Sequence, residues 1–276
     1  MLSLSDGTRV VHYLPDVDLA TGAITGMQAL MRWEHPQRGV LWPNDFAVEA
    51  ERSGIGAALS WELLSAAADE LSSWRTLPGG PDGTRQMWVA VTPSQLLEAD
   101  FIERVAALVS GHDLVPGSLG LLLPGAALAT GSRHAPQLLA ALRDAGVALA
   151  IDDLRSWYAS VGAMGDLPFE AVTLDRDFVR GVGADLDDDI IVGSIIRFAH
   201  AHGLRVVADS VESWSEGARL CELGCDRGHG YLFGSPQDSI DARVMLSHAA
   251  GWCAPMPRVA AESRPSVPVV QGNGVA

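Results

Sequence analysis

Two adjacent carboxylates, Asp152 and Asp153, offer the clearest chemistry in this sequence, because they end a short apolar run. The run from Gly146 to Ile151 is typical of a strand buried in a parallel sheet. Acids at the end of such a strand are costly unless they face a solvated cleft, a cation or a shared proton. Ligands of barrels and open α/β sheets bind at this end of the strands, so we expect a polar site there. The alternative is that one of the two acids caps the next helix.

The elements that position this site repeat along the chain. From Met87 to His248, short apolar runs alternate with amphipathic segments, which predicts parallel strands joined by right-handed crossover helices. About eight strands over about 240 residues favour a TIM-like (β/α)8 barrel over an open sheet. The last strand is predicted at Tyr231 to Phe233, and residues 1–250 are predicted to form one domain. Residues 251–276, rich in Pro, Ser and Gly without periodicity, are predicted to be a disordered tail.

The predicted carboxyl ends of the strands carry many polar groups. They include Arg32, Thr92, Asp152 with Asp153, Asp175, Asp209 and the stretch from Asp226 to His229. Carboxylates on one rim suit a site for Mg²⁺ or Mn²⁺ and for phosphate-ester chemistry. The alternative is a rim that is merely polar, whose acids cap the following helices. The residue types alone leave both interpretations open.

Charge and composition exclude several classes of function. A net charge of −15 argues against nucleic acid or an anionic membrane surface as the main partner. Every basic side chain other than histidine is an arginine, which excludes chemistry that needs a lysine amine. No apolar run approaches the roughly 20 residues of a membrane span, and the N-terminus lacks signal-peptide features, so a cytoplasmic protein is expected. The three cysteines, Cys221, Cys225 and Cys253, form neither a disulfide framework nor a zinc-ligand pattern.

Short motifs stand in a fixed order from Val11 to about Leu246. They include Gly26 to His35 (Gly-Met-Gln-Ala-Leu-Met-Arg-Trp-Glu-His), Asp152-Asp153, Thr173 to Val179, Val207 to Glu212, and Gly230 to Gly234 with Pro236. In this order they resemble the EAL domain family of bacterial cyclic-di-GMP phosphodiesterases. The resemblance implies a modified TIM-like barrel with one antiparallel strand near the N-terminus.

The departures from the family pattern fall on positions that the resemblance assigns to metal binding and catalysis. Four positions are degenerate. Gln28 and Leu122 each stand where the family has a Glu ligand, Thr92 stands where it has an Asn ligand, and Thr173 stands where it has the catalytic Lys. Asp209 is a shortened Glu, and His229 replaces a Gln. A neutral amide such as Gln28 binds a hard dication far more weakly than a carboxylate does. Groups in a two-metal site act as a unit, so we predict no useful hydrolysis of cyclic di-GMP.

These departures favour a catalytically inactive EAL-like domain that acts as a regulatory protein-interaction module in bacterial signalling. The candidates for a contact with a protein partner are Arg155, Trp157 and Tyr158, in the loop that follows the paired acids. Aromatic side chains at a rim favour contacts of this kind. A homodimer through the same loop is a further option that the resemblance implies.

Two alternatives remain open. One is a receptor that binds cyclic di-GMP without hydrolysis, with Arg32 and Asp175 as ligand-binding candidates, since arginine suits a pair of phosphate oxygens. The other is a weak or repurposed metal-dependent phosphodiesterase, with Asp152, Asp153 and Asp209 as residual metal candidates. No cofactor is expected beyond residual binding of Mg²⁺ or Mn²⁺.

Overall fold

The computed structural model describes residues 7–77, 85–126, 135–152 and 168–248. Its strands are β1 (Thr8–Asp18), β2 (Ile24–His35), β3 (Gly39–Leu41), β4 (Gln86–Ala90), β5 (Leu119–Pro124), β6 (Ala148–Asp152), β7 (Ala171–Leu174), β8 (Arg205–Ala208) and β9 (Arg227–Gly228). Eight of them form a closed ring in the order β1, β2, β4, β5, β6, β7, β8, β9, because β1 pairs with both β2 and β9. This ring confirms the predicted TIM-like barrel.

The first strand of the ring runs against its neighbours. β1 is antiparallel to β2 and to β9, whereas the other neighbouring strands of the ring are parallel. The expected antiparallel strand near the N-terminus is therefore present. β3 lies outside the ring, where it pairs antiparallel with the end of β2.

The last strand of the ring is not where the sequence predicted it. It is Arg227–Gly228, whereas Tyr231 to Phe233 form a turn in which the Phe233 amide donates to the Gly230 carbonyl at 3.0 Å. Gly230 has a φ of +145°, and a Cβ there would come within 2.2 Å of the Val211 carbonyl oxygen. The prediction was wrong because the apolar run after Gly230 belongs to a sharp turn that is hydrogen-bonded to Val211, and not to a strand.

The helices surround the ring. They are α1 (Pro43–Arg52), α2 (Gly56–Ser73), α3 (Pro93–Leu96), α4 (Phe101–Gly111), α5 (Ala135–Asp144), α6 (Arg176–Val179), α7 (Leu186–Ala201), α8 (Trp214–Leu223) and α9 (Ser239–Ser247). Local sequence explains their ends, as α8 illustrates. Ser213 and Glu216 form a capping box at its start, and Gly224 at φ +94° ends it in the left-handed conformation. Within the described ranges, no helix combines the length and apolarity that crossing a bilayer requires.

Alternate residues along each strand separate two apolar regions. On β2, Met27, Ala29, Met31 and Trp33 belong to the large core between strands and helices. A second, smaller cluster fills the inside of the ring. It consists of residues on strands β4 to β8, namely Trp88, Leu122, Ala148, Ala150, Ala171 and Val207. The barrel is therefore packed along its axis and open to ligands only at its ends.

An ion pair with a buried carboxylate connects the last helix to the rest of the fold. Arg243 on α9 donates to both carboxylate oxygens of Glu70 on α2, at 2.6 and 2.7 Å. The Trp74 indole and the Ser73 hydroxyl donate to the same carboxylate at 2.9 and 3.5 Å, so the buried charge accepts four hydrogen bonds. This contact holds α9 against β1, beside the point where the ring closes.

Gly120 should not tolerate a methyl group, because Trp88 fills the space beside it inside the barrel. A Cβ at Gly120 would lie 2.2 Å from a ring carbon of Trp88. We expect Gly120→Ala to lower the free energy of unfolding by about 1–3 kcal/mol, measured by urea denaturation. Gly111→Ala is the matched control, since nothing lies within 4 Å of the added carbon at this helical position. The control should be neutral or gain up to about 1 kcal/mol, and equal effects of the two changes would contradict the interpretation.

Candidate functional site

A cleft of about 350 Å³ opens at the carboxyl ends of the parallel strands. Four of the residues singled out in the sequence line it: Gln28, Arg32, Asp152 and Asp209. Arg176 and Glu212 also line it and form an ion pair at 2.7 Å on the rim. Both residues lie within quoted motifs, Thr173 to Val179 and Val207 to Glu212, but no role was predicted for either of them from the sequence.

Asp152 lies at the end of β6 and is held by its neighbour on β7. The Thr173 hydroxyl donates to Oδ1 of Asp152 at 2.9 Å, and Thr173 itself is buried. A neutral hydroxyl thus contacts the carboxylate at the position where the resemblance places a lysine. Asp153 and the loop candidates Arg155, Trp157 and Tyr158 lie outside the described residues.

Two of the predicted site residues begin helices. The Thr92 hydroxyl accepts a hydrogen bond from the Gln95 amide at the start of α3, at 3.3 Å. Oδ1 of Asp175 accepts from the amides of Asp177 and Phe178 at the start of α6, at 2.9 and 3.2 Å. These are N-cap geometries, so helix capping accounts for both residues. The described lining of the cleft does not include Asp175.

The Leu122 side chain is apolar and is not part of the described cleft lining. It is buried within the small apolar cluster inside the ring. The side chain that stands at an acidic position of the family is therefore part of the packed barrel axis.

His229 lies between two carboxylates beneath the cleft. Its Nε2 is 3.5 Å from Oδ1 of Asp16, and its Nδ1 is 3.9 Å from Oδ1 of Asp209. Asp16 is 0% exposed and also accepts from Arg227 at 3.0 Å and from Thr25 at 3.1 Å. These four side chains connect the interior of the barrel with Asp209 on the cleft wall.

The charges in this group set the protonation of its members. Burial by itself would lower the pKa of His229, but attraction from the carboxylates of Asp16 and Asp209 raises it overall. Burial would raise the pKa of Asp16, but contact with His229 and Arg227 lowers it. The array therefore favours an imidazolium beside an ionised carboxylate.

Arg32 is the second notable charge in the cleft. It lies on β2 and is 2% exposed, and its guanidinium lies 3.9 Å from the ring centroid of Trp42. Nη1 donates to the Met31 carbonyl at 3.0 Å, while the buried Nη2 has no hydrogen-bond partner among the described residues. Burial lowers the pKa of this arginine, against a smaller opposing effect of Tyr231, yet an arginine stays protonated. The site thus holds a buried cation with an unused donor.

Ser210, which follows Asp209, has a strained backbone. Its φ is +61°, in the left-handed region that favours glycine. Sequence reasoning missed this feature, because no pattern of residue types marks it.

The donor set fits a pair of hard dications poorly. The cleft wall supplies the carboxylates of Asp152 and Asp209 with the neutral amide of Gln28. Across the described residues, no group of three or more His, Cys, Asp or Glu side chains is placed to hold a metal ion. The described residues therefore supply only part of the ligand set for the metals that the resemblance implies.

Comparisons with known proteins give consistent matches. A family model described as "EAL domain" matches residues 2–236. An uncharacterised protein of Mycobacterium tuberculosis is 35% identical over 243 residues, which are 88% of this chain and 38% of that protein. The cyclic di-GMP phosphodiesterase RocR of Pseudomonas aeruginosa is 32% identical over 235 residues, which are 84% of this chain and 58% of RocR. The chain thus spans less than two thirds of the length of either relative.

Solved structures match as well. The structure described as PaMucR phosphodiesterase, c-di-GMP complex, matches with a TM-score of 0.79 and 29% sequence identity. The matched region is 85% of this chain and 94% of the PaMucR chain. The EAL domain of Mycobacterium smegmatis DcpA matches with a TM-score of 0.73 and 28% sequence identity. The matched region is 88% of this chain and 99% of the DcpA chain in that structure.

Ser210→Gly should stabilise the protein, because glycine adopts the left-handed conformation without a steric penalty. We expect the free energy of unfolding to rise by about 1 kcal/mol in urea denaturation. Ser194→Gly, the same change within α7, is the control and should destabilise by up to about 1 kcal/mol. A loss of stability in Ser210→Gly would show that the serine side chain outweighs the backbone strain.

His229→Gln should remove a pH-dependent part of the stability. A raised pKa in the folded protein means that the contribution is fully present below about pH 6.5 and lost as pH rises through the folded value. The stability gap between the parent chain and His229→Gln should therefore be larger near about pH 6 than near about pH 9 in urea denaturation. The exposed His202, changed to Gln, is the control. A gap that does not vary with pH would contradict an imidazolium at His229.

Proposed function

The chain belongs to the EAL domain family, and we propose that it acts in cyclic-di-GMP signalling as a regulatory module that does not hydrolyse the dinucleotide. The connection to cyclic di-GMP comes from relatives such as RocR, whose names state that activity. The observation that carries the proposal is the contact between Thr173 and Asp152. A threonine hydroxyl there cannot supply the charge or the reach of a lysine ammonium.

The other altered positions support the same proposal. Gln28 offers the cleft one carbonyl oxygen without charge, and Thr92 is engaged in capping α3. Leu122 has no polar atom in its side chain and is buried in the barrel. Loss of several ligands from a two-metal site removes the clamp on both the attacking and the leaving oxygen. Such a loss does not leave graded activity.

Action through protein contacts is supported by the rim of the cleft. Trp42 is 41% exposed and Tyr231 is 57% exposed, and both line the cleft mouth. Exposed aromatic residues at a concave rim are typical of binding surfaces. The loop candidates Arg155, Trp157 and Tyr158 remain part of this proposal on sequence grounds, as does a homodimer through that loop.

A second candidate function is a receptor that binds cyclic di-GMP without hydrolysis. It is favoured by Arg32, whose Nη2 is buried without a hydrogen-bond partner among the described residues. A buried donor without an acceptor costs free energy, and a phosphate oxygen would supply the missing acceptor. The carboxylates of Asp152 and Asp209 oppose this binding by repelling a dianion.

The third candidate, a repurposed metal-dependent phosphodiesterase, has less support. Asp209 and His229 are neighbours at 3.9 Å, but His229 is also close to Asp16. The nearby carboxylates raise the pKa of His229, which disfavours metal binding because a ligating imidazole must be neutral.

Hydrolysis is tested directly with purified protein, cyclic di-GMP and either Mg²⁺ or Mn²⁺. We expect no linear dinucleotide above the protein-free background when products are separated by chromatography, with RocR as the positive control. Asp152→Ala is the matched variant and should be equally inactive. Metal-dependent turnover that disappears in Asp152→Ala would overturn the proposal.

Protein contact is tested by affinity capture from lysate of the source bacterium with the full chain as bait. We expect Trp42→Ser combined with Tyr231→Ser to lose a partner that the parent chain retains. Val48→Ser combined with Val115→Ser, at exposed positions that do not line the cleft, is the control. Recovery of no partner that depends on the rim would count against this part of the proposal.

A further inference from the structure

The strand outside the ring sets the surroundings of Arg32. β3 pairs with the end of β2 in a register that places Leu41 opposite Trp33 and Val40 opposite Glu34. One step further along this antiparallel register, Trp42 stands beside Arg32. Residues directly opposite each other on antiparallel strands point to the same face. β3 thus brings an aromatic ring to the arginine in the cleft.

The contact is a stack of a cation on an aromatic ring. The Arg32 guanidinium carbon lies 3.9 Å from the Trp42 ring centroid, well within the range of cation–π attraction. Arg32 is almost completely buried, and such contacts are stronger when the cation is desolvated. Trp42 itself is held at the start of α1, where its amide donates to Asp45 at 2.8 Å. The ring therefore has a fixed backbone anchor.

The contact with Trp42 uses the face of the guanidinium and not the hydrogen-bond donors at its edge. Nη1 uses one hydrogen bond on the Met31 carbonyl, and Nη2 is buried without a partner among the described residues. The other arginine that lines the described cleft, Arg176, is already paired with Glu212. Arg32 is in no ion pair that the described residues define, so its edge is the one suited to an incoming oxyanion.

We propose that Trp42 is a positioning residue that holds the Arg32 guanidinium flat, so that its Nη2 edge presents a donor to a phosphate oxygen in the cleft. Stacking restricts the face of the guanidinium without consuming the in-plane N–H groups that recognise an oxyanion. Rotamer freedom of a long arginine side chain is costly to remove on binding, and the stack removes it in advance. This inference rests on the proposed binding of cyclic di-GMP in the same cleft.

The first experiment asks whether the stack exists in solution. The side-chain Nε–Hε signal of Arg32 is identified by its loss in Arg32→Lys, and NMR records its ring-current shift. We expect the upfield shift in the parent chain and, more weakly, in Trp42→Phe, and its loss in Trp42→Leu. An unchanged shift in Trp42→Leu overturns the proposal. Urea denaturation shows whether each variant remains folded.

The second experiment asks whether the stack matters for binding. Calorimetry measures the affinity of the same four proteins for cyclic di-GMP and, as a simpler oxyanion, for pyrophosphate. We expect Trp42→Leu to weaken binding roughly fivefold to thirtyfold, and Trp42→Phe to recover most of the loss because it keeps an aromatic face. A role of Trp42 in structure alone would move the stability of both variants without this selective rescue.

The outcomes separate this inference from the function it depends on. Parent-chain binding that Trp42→Leu leaves unchanged overturns the positioning role but not the receptor function. Tighter binding by Trp42→Leu also overturns it, because the ring would then shield Arg32 from the ligand. Binding of neither probe by the parent chain removes both the receptor function and the positioning role, whereas the test for hydrolysis is unaffected.

Discussion

The buried carboxylate of Asp16 is the constraint on which the ring and the cleft both depend. It lies on β1, the antiparallel strand that closes the barrel between β2 and β9. A fully buried charge needs polar partners, and Arg227 on β9 and Thr25 on β2 supply them across the closure by donating to Oδ2, while Oδ1 lies 3.5 Å from Nε2 of His229. The closing strand is therefore fixed by polar contacts in the barrel interior as well as by its backbone pairing. Removal of one partner would leave an uncompensated charge, which is more costly than the loss of a surface pair.

This interior array also determines the chemistry of the cleft floor. His229 reaches from Asp16 towards Asp209, so the shortened acid of the cleft wall lies 3.9 Å from a histidine whose pKa the nearby carboxylates raise. Asp152 is likewise held by the hydroxyl of Thr173. Asp152 and Asp209 thus each have a neighbouring side chain within the protein, and such neighbours compete with a metal for the carboxylate oxygens. Arg32 differs from them, since its unused donor requires an acceptor that an anionic ligand would bring.

The predictable part of the fold was the part with local signals. Repeated apolar runs and amphipathic segments predicted the barrel, and the strand predicted in the run from Gly146 to Ile151 is Ala148–Asp152, so both of its ends lie within two residues of the prediction. The strand at Arg227–Gly228 was missed because it has only two residues, one of them charged and paired inside the barrel. β3 was missed because two of its three residues are exposed, so it has no buried pattern. Both strands exist because of their neighbours, not because of their own propensity.

The candidate site divides in the same way. The sequence by itself determined which residue types stand at the strand ends: Gln28, Thr92, Leu122 and Thr173 are fixed by the chain, and so is the chemistry that they cannot supply. Only the tertiary structure decided the partners. The contact of Trp42 with Arg32 arises from the pairing of β3 with β2, and the place of His229 between Asp16 and Asp209 arises from elements far apart in sequence. The capping role of Asp175 is local, and the sequence had left it open as an alternative. The physical reason is that the carboxyl ends of parallel strands meet at one rim, and the closed ring fixes which side chains face each other there.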